Sequence, residues 1–153
     1  VGPGISQVVF DSLGNNAKSM TDKDKCCIIL FDEMAIQPHL DYDVHRDRVV
    51  GFEAGNQNIA DHATVFMLRG VFKKWKQPVG FMFHKSAMSA STIVNYYREI
   101  VMQCEKIGFI VIASVCDQGT NNVKAINMLT EESKRNLILK GVEPRDYIIT
   151  VSN

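Results

Sequence analysis

Two continuous apolar runs, each stopping at an acid, constrain this chain more than any other feature. Cys26-Cys27-Ile28-Ile29-Leu30-Phe31 leads straight into Asp32-Glu33, and Phe109-Ile110-Val111-Ile112-Ala113-Ser114-Val115-Cys116 leads into Asp117. Neither run alternates apolar with polar residues. A short run of this kind reads as a strand covered on both faces, which places both strands inside a sheet. A carboxylate at the mouth of such a strand is costly unless a hydrogen-bonded cap or a metal ion compensates it.

The rest of the chain fits around these two strands. After the Gly2-Pro3-Gly4 turn, Ile5, Val8, Val9, Leu13, Ala17 and Met20 fall on one side of a helical pattern, which the polar turn Thr21 to Lys25 ends. Residues 1–25 therefore read as a helical lead-in and 26–153 as the core. Leu40, Tyr42 and Val44 alternate with Asp41 and Asp43, His45 to Arg48 turns, and Val49 to Phe52 returns, which predicts a hairpin over 40–52. Gly55 to Asp61 is a polar loop. Ala63 to Leu68 is a strand, Arg69 to Lys76 a basic helix or turn, and Pro78 opens a further strand from Val79 to Phe83. Ser91 is placed as the N-cap of the strongest helix, with Ile93, Val94, Tyr97, Ile100, Val101, Cys104 and Ile107 on one face and Gly108 closing it. One helix is expected from Gly119–Asn122 through Val123, Ile126 and Leu129. A second starts at Thr130-Glu131-Glu132 and runs to Gly141, and Tyr147 to Val151 is a last strand. This order gives a mixed α/β sheet with helices packed on it.

Composition narrows the class. The 153 residues carry 17 Lys and Arg against 17 Asp and Glu, a net charge of zero, with 46% hydrophobic residues. That suits one compact domain with a real core. No apolar stretch is long enough for a transmembrane helix, and no signal-peptide pattern opens the chain. Net neutrality argues against a strongly basic nucleic-acid clamp. Cys26, Cys27, Cys104 and Cys116 lack metal-ligand spacing and read as buried, reduced core thiols of an intracellular protein. His39, His45, His62 and His84 share no ligand spacing and read as surface or loop residues. Met67, Met82, Met88, Met102 and Met128 read as core filler, and no P-loop motif occurs.

The two acids are where metal chemistry could sit. If their strands are parallel neighbours, Asp32 and Asp117 emerge at the same sheet end and form a hard-oxygen site for Mg²⁺ or Mn²⁺. Alternatively each caps the turn that follows, which Gly119-Thr120-Asn121 makes plausible for Asp117. Glu33 points to the opposite strand face from Asp32 and is assigned a structural role. Glu131 and Glu132 read as solvent-facing acids at a helix N-terminus. Arg69, Lys73, Lys74 and Lys76 gather around Phe72 and Trp75. They form either a phosphate-contacting patch with an aromatic platform, or a solvated turn whose two rings pack in the core.

Phe31-Asp32-Glu33-Met34-Ala35-Ile36, Tyr42-Asp43, Gly51-Phe52, Trp75-Lys76-Gln77-Pro78 and Asp117-Gln118-Gly119-Thr120-Asn121 occur in that order. The set resembles the RNase H-like catalytic domain of P-element-type transposases, whose relatives include proteins with a THAP zinc finger. The resemblance runs from about Gly2 to the end. It implies an RNase H-like mixed sheet in the order 3-2-1-4-5, flanked by helices, in which the first and fourth strands are parallel neighbours. It implies that Asp32 and Asp117 are the first two catalytic, metal-holding acids of a nuclear cut-and-paste transposase. Such an enzyme cleaves and joins DNA with two divalent ions, Mg²⁺ or Mn²⁺. Its partners would be transposon ends and target DNA, met largely through other domains of an oligomeric parent with no membrane role. A third acid and a guanine-nucleotide-binding insertion would lie downstream of Asn153. On that expectation the chain is truncated inside its domain and inactive alone. The contrasting expectation is a domesticated, non-catalytic DNA-binding or interaction protein.

Overall fold

The computed structural model describes residues 2–53, 55–144 and 149. In chain order the elements are β1 (Gly4–Ile5), α1 (Gln7–Ala17), β2 (Cys26–Ala35), β3 (Asp41–Asp43), β4 (Arg48–Val50), β5 (His62–Gly70), β6 (Lys76–His84), α2 (Ala90–Lys106), β7 (Ile110–Val115) and α3 (Thr120–Leu139). Five strands form one sheet in the order β1-β6-β5-β2-β7, and β3 and β4 form the separate hairpin. β2 is central, antiparallel to β5 and parallel to β7.

Set beside the expected order 3-2-1-4-5, β6-β5-β2-β7 supplies the first four places. The expected strand from Tyr147 to Val151 lies outside the described residues apart from Ile149, which packs against the core. The added edge strand β1 pairs with β6 at Phe81 and Gly80. With α1 it joins residues 4–17 to the same body: Phe10, Leu13 and Ala17 are buried, while Val8, expected inside, is 75% exposed. Gly14 sits where α1 closes on the end of α2. A Cβ there would meet Ile107 Cγ2 at 3.2 Å.

β2 shows how the core is divided. Cys27, Ile29 and Phe31 are buried, whereas Cys26, Ile28 and Leu30 between them are only half-buried. One face of the sheet thus carries α1 and α2, and the other is more open. β7 departs further from the expected buried strand, because Ile110, Ile112 and Val115 are each about half exposed. The face assigned to α2 is the buried one, and Gly108 closes that helix at φ +81°. Its N-cap is Ser89 rather than Ser91, since the Ser89 side chain accepts the Thr92 N–H at 3.2 Å.

The two expected C-terminal helices are one. Thr130 does not cap a new helix. Its hydroxyl donates to the Ile126 carbonyl at 2.9 Å, and Ser133 does the same to Leu129 at 2.7 Å, so both side chains bond back into a continuing helix. The buried face of α3 is Asn122, Ala125, Leu129 and Ser133, with Val123 exposed. Glu131 and Glu132 consequently lie inside α3, where Glu131 pairs with Lys134 and Glu132 reaches Arg98 of α2.

Several side chains also sit differently from expectation. His84 is buried and stacks on half-buried His62 across β5 and β6, so neither is a surface or loop histidine. Met102 and Met128 are exposed rather than core filler. Cys27 and Cys104 are buried, but Cys26 and Cys116 are half-buried; all four thiols are free. Pro78 lies inside β6, not at its start. The β5–β6 register shifts between Phe66 and Met67, opposite the residue that lacks an N–H for the ladder.

Candidate metal centre

The β2–β7 ladder brings the two acids together. Its last pairs are Ile29 with Ser114 and Leu30 with Val115. Two residues past Leu30, still within β2, stands Asp32, on the face of Leu30; two residues past Val115, just beyond the end of β7, stands Asp117. They line one open cleft of about 360 Å³ with Leu30, Val65, Met67 and Val115 as its apolar floor. Cys116 lines the same cleft. Burial raises its thiol pKa, and the charges of Asp117 and Asp32 raise it further.

Each carboxylate is held on one side. Asp32 Oδ1 accepts the Glu33 N–H at 2.8 Å. Asp117 Oδ1 accepts the Gly119 N–H at 3.0 Å and the Asn122 side-chain amide at 2.6 Å, which together hold its carboxyl below the ordinary aspartate range. Asp117 therefore caps the turn that leads into α3, as one sequence reading allowed, while the helix N-cap itself is Gly119. That cap uses Oδ1. Among the described residues no hydrogen bond falls on Oδ2 of either aspartate, so capping and cation binding are compatible at the same side chain. Two hard oxygen donors above an apolar floor fit Mg²⁺ or Mn²⁺ in kind. No group of three His, Cys, Asp or Glu that could hold a metal occurs among the described residues.

Glu33 turns to the opposite face, as its strand parity requires. Its Oε2 accepts the Met88 N–H at 2.9 Å and lies 3.8 Å from His84 Nε2. The Met88 carbonyl accepts from Asn121 Nδ2 at 2.9 Å. Sequence reasoning did not find Met88, His84 or Thr64 here. A backbone acceptor leaves no signature in the sequence, and the Thr64–His84 hydrogen bond at 2.8 Å joins residues far apart along the chain.

At the other end of the sheet Lys73 and Lys74 lie in the β5–β6 turn, whereas Arg69 and Lys76, expected in the same helix or turn, are paired with each other at the ends of β5 and β6. Asp32 pairs with Val65 and Cys27 with Gly70, so the basic turn starts five residues, about 17 Å, from the aspartates. Trp75 packs edge-on against Phe109, whereas Phe72 is 64% exposed instead of packed in the core. Charge is divided between these ends. Segments 11–25, 69–76 and 105–107 meet at the basic end and carry eight Lys or Arg against four acids. Residues 32–61 and 84–86 with Asp117 carry eight acids against three bases. Net neutrality conceals a polar molecule.

A mixed sheet in this order, with carboxylates leaving the central strand and its parallel neighbour on one side, defines an RNase H-like protein. The family described as "TNP-like, RNase H N-terminal domain" matches residues 1–130, and the chain belongs to it. It is 34% identical over 121 residues to the "Transposable element P transposase" of Drosophila melanogaster, covering 79% of this chain and 14% of that protein. The "Drosophila P element transposase strand transfer complex" superposes with a TM-score of 0.64 at 32% identity, over 84% of this chain and 26% of that one. The chain thus spans a small part of the length of these relatives.

Proposed function

We propose that this chain is the first part of the catalytic core of a cut-and-paste DNA transposase, with Asp32 and Asp117 as two of its metal-holding acids. The observation that carries this reading is their position: neighbouring parallel strands deliver both carboxylates into one cleft. Divalent ions bound there would activate an attacking oxygen and stabilise the leaving oxygen of a DNA phosphodiester. The chain's own contribution is to hold the donors. The Glu33 N–H fixes Asp32, while Gly119 and Asn122 fix Asp117 in its ionised form. DNA enters as partner through the strand transfer complex of the relative. Arg69, Lys73, Lys74 and Lys76 would then grip backbone about 17 Å from the cut, roughly five base steps along a duplex.

The test is nicking of supercoiled plasmid with Mg²⁺ or Mn²⁺. With two of three acids, this chain is expected to cut weakly or not at all. Any metal-dependent cutting is expected to disappear in Asp32→Ala and Asp117→Ala. Metal-dependent cutting that survives both substitutions overturns the assignment.

A further inference from the structure

The β2–β7 ladder stops at Leu30 and Val115, two residues short of the aspartates. Asp32 is still held on its other side by pairing with Val65 of β5. Among the described residues Asp117 has no such pairing, and both its hydrogen bonds there run forward to Gly119 and Asn122 at the start of α3. The separation of the two carboxylates therefore depends on what fixes the start of α3 to the end of β2. One residue does both. Met88, 5% exposed in the loop between β6 and α2, gives its N–H to Glu33 and its carbonyl to Asn121. Glu33 is the neighbour of Asp32, and Asn121 is the neighbour of the Asn122 that holds Asp117. Glu33, one residue after Asp32, and Asn121, four residues after Asp117, converge on opposite sides of the Met88 backbone.

Glu33 is itself steadied from behind. His84 Nδ1 lies 2.6 Å from the Ser86 carbonyl, which only accepts, so that nitrogen carries the proton. Nε2 of the same ring shares a hydrogen bond of 2.8 Å with the Thr64 hydroxyl, which fixes the plane of the ring. This places the imidazole of a buried residue 3.8 Å from Glu33 Oε2.

We propose that Glu33 and Asn121 are positioning residues for the metal-holding pair, acting through the Met88 backbone as a clamp that sets the spacing of Asp32 and Asp117. The inference rests on the metal reading of those aspartates and adds two residues to it that touch no metal. It explains why a glutamate follows the first acid without sharing its face, and why two consecutive asparagines open α3. Asn122 holds the acid, and Asn121 holds the frame.

The experiment is Mn²⁺ titration of the chain followed by electron paramagnetic resonance, with thermal unfolding of each variant measured without metal. Asp32→Asn and Asp117→Asn should abolish binding. Glu33→Ala and Asn121→Ala should each weaken it about tenfold, the size of effect seen when support of a ligand is lost. Glu33→Gln should bind within about twofold of the unaltered chain, because the Gln oxygen still accepts the Met88 N–H. The Glu33→Ala, Asn121→Ala double variant should be little weaker than either single one, since both act through one residue. If Glu33→Gln falls as far as Glu33→Ala, Glu33 acts by its charge and the clamp is wrong. Unaltered affinity in Glu33→Ala and Asn121→Ala, with binding lost in the aspartate variants, also overturns the clamp but leaves the metal reading standing. Binding that survives in the aspartate variants, or is absent from the unaltered chain, overturns the metal reading itself. Should Glu33→Ala fail to fold, Glu33→Gln and Asn121→Ala carry the test.

Discussion

Phe66 is the buried β5 side chain that packs on the residue preceding Asp32. It is fully buried at the middle of β5, paired in register with Phe31 of β2. The two rings stack with centroids 5.3 Å apart and planes 23° from parallel, and Tyr96 of α2 closes on Phe66 at 6.2 Å. Phe31 is the residue before Asp32. Truncating Phe66 to Ala removes a buried ring and leaves a cavity between β5, β2 and α2. Such changes cost about 3–5 kcal/mol, including the lost transfer energy and the void. Phe66→Leu keeps most of the volume and gives up mainly the two ring contacts, each worth about 0.5–1.5 kcal/mol beyond area. A domain of this size loses about 2–4 °C in Tm per kcal/mol, so Phe66→Ala should melt about 6–20 °C lower. The assay is urea unfolding followed by far-UV circular dichroism and by fluorescence of Trp75, the single tryptophan. Trp75 sits at the opposite end of the sheet from the aspartates. Coincident transitions at both probes establish one cooperative unit. A Phe66→Ala loss below about 1 kcal/mol with an unchanged denaturant slope would refute the packing described for β5 on β2.

Two further outcomes follow from the thiols and the acids. Cys26 and Cys116 should react with a thiol reagent in the folded chain, Cys116 more slowly because burial and the adjacent aspartates raise its pKa. Cys27 and Cys104 should react only on unfolding, since both are buried and share a hydrogen bond that, with burial, pushes the Cys104 thiol well up; equal rates at all four would contradict this. Asp61 is held below the ordinary range by hydrogen bonds from His62 and from the Ser86 N–H. Its stabilisation is fully present above the unfolded value of about 3.9 and is lost as pH falls through the lower folded value. Stability measured between pH 5 and pH 2 should therefore fall less steeply in Asp61→Asn, and an unchanged slope would show that Asp61 does not contribute.

The parts of this fold that showed in the sequence are those whose signal is local and repeated. β2 announced itself by six apolar residues before an acid, and α2 by a face recurring over seven positions. The two acids were legible because carboxylates at the ends of apolar strands are expensive and need a reason. What did not show depends on partners distant in sequence. β1 is two residues long and has no period to read. The break expected at Thr130 rested on its capping chemistry, and the same hydroxyl served instead to bond the preceding turn. His84 looked like a loop residue because its compensating Thr64 hydroxyl arrives from the neighbouring strand. Glu33 could be assigned to the opposite face from parity alone. That it meets the Met88 N–H, with Asn121 on the other side, follows only from the packed structure.

The division of charge gives this neutral chain a direction. Beside a polyanion, its excess of lysine and arginine at the β5–β6 turn is drawn in, and the acid-rich end swings outward. In that orientation Asp32 and Asp117 face away from the phosphates. Bringing them round costs work against like charge, within the roughly 8 Å over which physiological salt leaves such forces felt. Divalent cations captured between the two carboxylates would cancel that repulsion where it is greatest.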